Sequence, residues 1–367
     1  MSDNQTTHET IAQAFGRTTD PLAEYDDRFR DLDVDPFELW MEEQVHSQDY
    51  SDGTVTAIQR RIDQWREYMG DNHDRHPAVP TTRHALDFAH FYLEERDNAK
   101  NTVAAKLGTL SRAFRYFQNE PAFPHPTDFN PFDAAKGKID LNGDDPQDPV
   151  PIPLEELRDA IRGIKHVRDR AVIVTQFKLG LRASETSNIK LSEVHIANAE
   201  LQDHYEDLGT HPALEGRENA VYIPHDRDRN KSERPRVLPL DDELRRVLLQ
   251  YLLCRPDNGR PWLFLSKSGG KKVDHTNIND IWKKHFRPEY GPTERYRGVS
   301  SHYGRHYFTT WFRIEREWPR DLIKYLRGDR QSGGKIRSTR DAIDSYIHAW
   351  YEDIEDDYRQ EIYKLRI

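Results

Sequence analysis

Cysteine is almost absent from this chain of 367 residues, which contains Cys254 alone. A single thiol cannot form an internal disulfide framework, and it excludes a cysteine-rich zinc site. No apolar run approaches the roughly 20 residues of a membrane-spanning helix. The polar N-terminus lacks the charged-then-apolar layout of a signal peptide. We therefore expect a soluble protein of the cytoplasm, with no metal and no membrane partner.

Sequence motifs that bind nucleotides are also missing. The sequence contains no P-loop and no Gly-x-Gly-x-x-Gly string, which argues against an enzyme driven by ATP or by a dinucleotide. The glycine pairs before Lys271 and Lys335 are typical of turns rather than of phosphate loops. We expect no cofactor.

A basic surplus is the third absence. The formal net charge is -10, whereas a nucleic-acid-binding protein commonly carries a positive excess. Charged residues nevertheless make up 32% of the chain, so local basic patches can coexist with an acidic total. Arginine outnumbers lysine by 38 to 16. Few lysines and an acidic excess indicate adaptation to high salt, where a carboxylate-rich surface keeps the protein soluble. An ordinary acidic cytosolic protein is the alternative.

The first half of the chain has a helical pattern. Residues 1–35 are acidic and polar with little periodicity, which predicts a flexible segment or a loosely docked arm. In residues 36–135, apolar side chains recur at three- and four-residue steps, and we expect helices over 54–69, over 82–95 and after 101. Residues 136–150 are rich in Gly, Pro and Asp, which is typical of a linker between domains.

The second half, residues 151–367, mixes helices with a short β region. Three helices are expected between 154 and 191, and two extended runs, 220–224 and 235–239, predict a hairpin with a polar tip. More helices are expected over 242–253, 276–286, 302–316 and 321–326. The predicted fold class is mainly α with a small β-sheet.

Five positions in this half carry side chains suited to phosphodiester chemistry. Arg182 and Glu185 lie three apart in Gly-Leu-Arg-Ala-Ser-Glu, and Lys231 lies at the hairpin tip. His302 and Arg305 lie one helical turn apart, so both can donate hydrogen bonds to phosphate oxygens. Taken alone, each motif also has an ordinary explanation. Arg182 with Glu185 is typical of a surface ion pair, and Lys231 is typical of a solubilising charge. The spacing of His302 and Arg305 can arise by chance.

A candidate nucleophile follows in Tyr346, the first residue of Tyr-Ile-His, although 16 other tyrosines compete with it. In chain order these motifs resemble the tyrosine recombinases, the phage-integrase-like site-specific recombinases. The matching strings are Gly180-Leu-Arg-Ala-Ser-Glu185, Lys231 before Arg236-Val-Leu-Pro-Leu240, His302-Tyr-Gly-Arg-His306 and Tyr346-Ile-His348. The resemblance covers residues 36–367. It implies a helical core-binding (SAM-like) bundle over 36–135, which clamps DNA, and an α+β catalytic domain over 151–367.

The resemblance also implies residue roles. Tyr346 would attack the scissile phosphate to form a 3′-phosphotyrosyl link, Arg182 and Arg305 would clamp the nonbridging oxygens, and Lys231 would protonate the leaving 5′ oxygen. His302 would act as acid or base or as a further phosphate donor, and Glu185 and His306 would support the site. The helix after Tyr346, roughly residues 352–365, would dock on a neighbouring protomer.

One departure from the family pattern concerns Asp329. The family places a His or Trp after Leu-Gly in this region, whereas this chain has Leu326-Arg-Gly-Asp329. An ionised aspartate cannot donate a hydrogen bond, so it either orients an arginine or leaves the contact to another residue, with Arg330 and Lys335 as candidates.

The function implied by the resemblance is site-specific recombination or integration without ATP, at the nucleoid. Its partners would be double-stranded DNA with specific recombination sites, a tetramer of this chain on that DNA, and DNA-bending accessory proteins. Two alternatives remain open: a catalytically impaired DNA-binding regulator of the same fold, motivated by Asp329 and the acidic total, and a type IB topoisomerase-like relaxing enzyme with the same residue set.

Overall fold

The chain forms two units, each with its own hydrophobic core, spanning Met1–Pro146 and Gln147–Ile367. The computed structural model describes residues 2–48, 50–143, 147–329 and 340–367, without the side chains of 2–6, 8 and 340–350. The division between the units falls inside 136–150, the segment predicted as a linker. In the part of the chain described, no helix is long and apolar enough to cross a membrane.

The first unit is built from helices. They are α1 (Ser2–Ala14), α2 (Asp26–Arg30), α3 (Pro36–Trp40), α4 (Asp52–Asn72), α5 (Thr82–His90), α6 (Lys100–Asn119) and α7 (Pro131–Lys136). Two helices continue into π-helical turns, Met41–His46 after α3 and Phe91–Glu95 after α5. The three helices predicted for this unit are confirmed as α4, α5 with its π turn, and α6.

The core of the first unit comes from the apolar stripes that predicted its helices. Ile58, Ile62 and Trp65 of α4 are at most 1% exposed, and so are Leu107 and Phe114 of α6. Burying such side chains contributes about 25 cal/mol per Å² of apolar surface removed from water. The polar faces of α4 and α6 are left for charged side chains.

Residues 20–30 of the N-terminal segment dock on the helical unit, which agrees with the docked arm among the two alternatives predicted. Leu22 and Phe29 are at most 5% exposed and belong to the core of the helical unit. Asp20 forms an ion pair with Arg75 at 2.5 Å, and Phe29 stacks on His76. The low periodicity of this segment concealed these isolated apolar anchors, which dock residues 20–30 on the bundle.

The second unit alternates helices with short strands. Its helices are α8 (Leu154–Gly163), α9 (Val167–Leu179), α10 (Ala183–Ser187), α11 (Ala199–His204), α12 (Asp242–Cys254), α13 (His275–Phe286), α14 (His302–Thr310), α15 (Arg320–Arg327) and α16 (Arg340–Glu361). Its strands are β1 (Asp148–Pro149), β2 (Val194–His195), β3 (Ala220–Ile223), β4 (Arg236–Pro239) and β5 (Tyr296–Arg297). The predicted class, mainly α with a small β-sheet, is confirmed.

The central sheet has the order β2-β3-β4 and is antiparallel. Ala220 pairs with Pro239 and Ile223 with Arg236, so β3 and β4 form the predicted hairpin, with residues 224–235 as its connection. A second, parallel pair joins β1 to β5, with Asp148 opposite Tyr296. The sequence did not predict β1, β2 or β5, because two-residue strands have no periodicity to read.

The C-terminal segment packs on its own unit. Lys178 of α9, fully buried, donates hydrogen bonds to Asp241 (2.7 Å), Glu243 (2.8 Å) and the Tyr363 carbonyl (2.6 Å). Glu243 in turn accepts from the backbone amide of Leu365 at 2.7 Å. A buried ionic network thus holds the end of this segment within its own chain, and the docking of residues 352–365 on a neighbouring protomer stays a prediction.

Candidate functional site

Arg182 lies just after a sharp reversal of the chain. Helix α9 ends at Gly180, which has a left-handed backbone (φ 61°), and a Cβ there would lie 2.6 Å from the Phe308 ring. The backbone can make this turn because glycine has no side chain. Arg182 then becomes the N-cap of α10, with its side chain 24% exposed. The turn directs the guanidinium toward Asp329, whose Oδ1 accepts from Nη2 at 2.9 Å.

Glu185 is the buried centre of the arginine cluster. Its side chain is 0% exposed; it accepts from the Arg182 backbone amide at 2.7 Å and from Nη2 of Arg236 at 3.0 Å, and Nη1 of Arg305 lies 3.8 Å away. Burial raises the pKa of Glu185, but the charges of Arg236 and Arg305 outweigh it and hold that pKa below its ordinary value. Glu185 is therefore an ionised carboxylate that holds the arginines in position from the buried side of the cluster.

Arg305 is almost completely buried in helix α14, at 1% exposure. Nη1 donates to the carbonyls of Gly180 (2.9 Å) and Arg327 (3.0 Å), while Nη2 donates to Oδ1 of Asp329 at 2.7 Å. Burial lowers the pKa of Arg305 to about 9, and neighbouring Arg182 adds to this, while Glu185 opposes it. The carbonyl contacts hold one edge of the guanidinium and leave Nη2 facing Asp329.

Asp329 is the point where three arginines meet. Its Oδ1 accepts from Arg182 and Arg305, and Nε of Arg327 lies 2.7 Å from its Oδ2. The preceding Gly328 has φ 67°, and a Cβ there would lie 2.8 Å from the Ser232 side chain. Only glycine fits this close approach, so the position before Asp329 is fixed by packing.

Two arginines of this cluster were not among the predicted site residues. Arg236 is fully buried, and its Nε donates to the Leu326 carbonyl at 2.8 Å. Arg327 donates from Nη1 to Oγ1 of Thr309 at 3.1 Å. A signal existed for Arg236, since a charged residue opens a strand that is otherwise apolar. Its charge pairs with Glu185, whose carboxylate accepts from Nη2 at 3.0 Å.

The cluster holds more donors than acceptors. Four guanidinium groups face two carboxylates, and among the described side chains four buried nitrogens of this cluster make no hydrogen bond: Nη1 of Arg182, Nη1 of Arg236, Nε of Arg305 and Nε of Arg327, the last of which forms only an ion pair with Asp329. Buried donors are normally satisfied. Such an excess suits an anion that accepts several hydrogen bonds, and a phosphate group has the required charge and geometry.

His302 and His306 lie one turn apart on α14, beside Arg305. His302 is exposed, and its ring centroid lies 4.7 Å from that of His306. Packing of the chain around the His302 ring, together with the charges of His306, Arg305 and Arg297, lowers its pKa to about 4. His302 is therefore neutral at pH 7 and able to accept or donate one proton. Nε2 of His306 lies 2.6 Å from Arg297.

Lys231 is exposed on the connection between β3 and β4. The connection is tied to the arginine cluster two residues later, where the Glu233 amide donates to the Gly328 carbonyl at 3.0 Å. Arg227 of the same connection forms an ion pair with buried Glu193. The structure thus brings the Lys231 backbone to the edge of the cluster and turns Arg227 away from solvent.

The structure describes the backbone but not the side chain of the predicted nucleophile. The backbone of Tyr346 belongs to α16, whereas its side chain is among those not described, and Arg330 and Lys335 also lie outside the described residues. Five residues further along α16, Tyr351 is 1% exposed and packs with Leu214 and Val237. A helix rises about 1.5 Å per residue, so the Tyr346 backbone lies roughly 7.5 Å along the helix from this buried anchor.

Metal ions have no evident place in this arrangement: within the described ranges, no three His, Cys, Asp or Glu side chains are grouped to hold one. What the cluster can do is bind and polarise an oxyanion, with a neutral imidazole beside it.

Residues 153–332 match the phage integrase family. A curated relative, the tyrosine recombinase XerC of Roseiflexus sp. (strain RS-1), is 22% identical over 254 residues, which are 68% of this chain and 69% of that protein.

Solved structures share the fold at low identity. The Tn1549 transposon integrase in complex with a circular intermediate DNA superposes with a TM-score of 0.57 at 16% identity, over 86% of this chain and 98% of that one. A lambda integrase dimer bound to a COC′ core site gives 0.57 at 12% identity over 83% and 96%. A lambda integrase tetramer bound to a Holliday junction gives 0.58 at 13% identity over 85% and 83%.

Proposed function

Because the chain belongs to the phage integrase family of tyrosine recombinases, enzymes that cleave and rejoin DNA strands, we propose that it recombines DNA at specific sites through a 3′-phosphotyrosyl intermediate at Tyr346. The observation that carries the proposal is the convergence of Arg182 and Arg305 on one oxygen, at 2.9 and 2.7 Å. Two guanidinium groups aimed at one acceptor can bind the nonbridging oxygens of a phosphodiester, where negative charge develops during transfer.

Side chains of the proposed site supply both proton transfers of the cleavage step. The Tyr346 hydroxyl oxygen bonds to phosphorus as the bond to the 5′ oxygen breaks, and His302, neutral at pH 7, accepts the tyrosine proton. Lys231 supplies the proton that the leaving 5′ oxygen takes up. The phosphotyrosyl link retains the energy of the broken phosphodiester, so no ATP is consumed. Attack by a 5′ hydroxyl of a partner strand then reverses the step.

Basic residues on the helical unit support duplex binding by that unit. Arg60 and Arg61 of α4 face Lys106 and Arg112 of α6, and among the described side chains none of the four forms an ion pair. Burial lowers the pKa of Lys106 to about 8, and repulsion from Arg60 and Arg61 adds to it. Lys106 is buried and donates to Gln64, and Arg61 donates to Thr109. The exposed Arg60 and Arg112 are therefore the members of this cluster suited to contact phosphates of the DNA backbone.

We extend the proposal to the assembly. Strand exchange between two duplexes needs four active protomers, so we propose a tetramer on double-stranded DNA at the nucleoid, with DNA-bending accessory proteins as further partners. The lambda integrase tetramer on a Holliday junction supports this extension. The docking of residues 352–365 on a neighbouring protomer belongs to this proposal.

The test is covalent trapping on nicked suicide substrates made from DNA flanking the gene. Wild-type protein is expected to form a protein–DNA adduct resistant to denaturation, and Tyr346→Phe to form none while still binding DNA. Tyr351→Phe is the matched control, because it removes a hydroxyl from a buried ring in the same helix; it should retain trapping. An adduct with Tyr346→Phe would assign another nucleophile. Plasmid relaxation without strand exchange would indicate a topoisomerase instead.

A further inference from the structure

The two carboxylates of the arginine cluster differ in position. Glu185 is fully buried beneath the guanidinium groups, whereas the Asp329 side chain is 24% exposed. Arg305 has two carbonyl partners on Nη1, and Glu185 also lies near it, so its position does not depend on Asp329. Asp329 instead contacts the Nη2 atoms that the proposed mechanism directs to phosphate. It therefore stands where a bound anion would place an oxygen.

The backbone around Asp329 is held independently of its carboxylate. The Asp329 amide donates to the Lys324 carbonyl at 2.9 Å, and the Gly328 carbonyl accepts from Glu233. Nε of Arg327 lies against the other carboxylate oxygen, Oδ2. The side chain can thus rotate away from Arg182 and Arg305 while the backbone stays in place, and Arg327 remains available as its partner.

We propose that Asp329 is a resident anion that keeps free anions of the solution out of the arginine cluster and yields only to the phosphodiester of bound DNA. The inference rests on the proposed function. It makes Asp329 a determinant of specificity for which phosphates enter the site.

The selectivity follows from tethering. A carboxylate attached to the site competes at an effective concentration of the order of millimolar or above, and it never diffuses away. A free phosphate or chloride ion must displace it unaided. A DNA phosphate is itself tethered, because other contacts hold the duplex against the protein, so it competes on equal terms. Four arginines against two carboxylates leave a positive excess that favours the incoming phosphate even while Asp329 remains nearby.

The first experiment measures binding of inorganic phosphate by its effect on thermal unfolding, at constant ionic strength. We expect Asp329→Asn and Asp329→Ser to respond at about tenfold lower phosphate concentration than wild type, since each removes the competing charge. Asp321→Asn is the matched control: it removes an exposed acid from α15, the helix just before Asp329, where Asp321 forms an ion pair with Lys324 at 3.8 Å, and it should behave as wild type.

The second experiment measures how inorganic phosphate inhibits suicide-substrate cleavage. The rate of each protein is compared with its own rate without added phosphate, and both Asp329 variants should be inhibited at a lower phosphate concentration than wild type. An unchanged or weaker phosphate response in both Asp329 variants, an equal gain in Asp321→Asn, or failure of both Asp329 variants to fold would overturn the inference. If wild type cleaves no DNA, the proposed function fails, while phosphate binding still decides the role of Asp329.

Discussion

Two clusters of buried charge in the second unit differ in the balance between cations and carboxylates. Around Lys178, two lysines face Asp241 and Glu243, and Lys178 makes a hydrogen bond to each carboxylate and to the Tyr363 carbonyl. Around Glu185, four arginines face two carboxylates and leave buried donors without a hydrogen bond. The balanced cluster closes the fold, whereas the unbalanced one retains capacity for an additional anion.

The carboxylates of the two clusters are ionised for the same physical reason. Burial raises the pKa values of Asp241 and Glu243, and the charge of Lys178 outweighs it and lowers both below their ordinary values. The same competition sets the pKa of Glu185. All three carboxylates are therefore ionised at neutral pH, and the difference between the clusters lies in their surplus of cations rather than in the state of the acids.

Breaking the balanced cluster should cost the most stability. Lys178→Met removes the buried cation from two buried carboxylates and leaves only the partly exposed Lys364 near Asp241. We expect the free energy of unfolding to fall by about 3–5 kcal/mol, measured by denaturant titration. Lys364→Met is the control, because Lys364 is 45% exposed and contacts Asp241 at 3.3 Å; its loss should cost less than about 1 kcal/mol. Equal losses would show that Lys178 has no special role.

Breaking the unbalanced cluster should affect chemistry rather than stability. Arg182→Ala removes one of the two phosphate donors, and we expect cleavage of suicide substrates to fall about 10²–10³-fold. Stability should change little, because Arg182 is partly exposed and its carboxylate partners retain other arginines. Unchanged cleavage would contradict its assignment to the phosphate clamp.

Acid should destabilise the helical unit through His125. In contrast to the charged groups of the two clusters, His125 is buried in its neutral form. His125 is 5% exposed, and burial lowers its pKa to about 4. The unfolded chain gains a proton near pH 6.5 while the folded state does not, so the stabilisation from neutral His125 is fully present above about 6.5 and is lost as pH falls toward about 4. His125→Gln should flatten the pH dependence of the unfolding midpoint by the equivalent of about 1–3 kcal/mol. If the unfolding midpoints of variant and wild type changed with pH in parallel, His125 would be excluded as the cause of the pH dependence.

The smallest expected effect concerns the basic cluster of the helical unit. Arg112→Ala should weaken DNA binding modestly and reduce the slope of log affinity against log salt by about 1, measured by titration across salt concentrations. Arg17→Ala is the control, since Arg17 is 75% exposed and already paired with Asp128 at 3.6 Å. The same slope change in both variants would point to net charge rather than to a local contact.

Sequence reasoning was most accurate where one property repeats along the chain. The apolar stripes of α4 and α6 and the hairpin of β3 and β4 were predicted because their periods are visible in single segments. Residues without periodicity were predicted less well: Leu22 and Phe29 in a polar segment belong to the core, and Arg236 is buried and pairs with Glu185 although it was not among the predicted site residues. Such positions depend on what packs against them.

The sequence by itself determined the fold class, the helices and the membership of Arg182, His302 and Arg305 in recognisable motifs, because these properties depend on residues close together in the chain. Only the tertiary structure decided that Asp329 meets Arg182 and Arg305 at one oxygen, that Arg236 serves Glu185, and that Lys178 secures the C-terminal segment. Charge pairing between distant segments depends on distances of a few ångströms, which local sequence patterns do not contain.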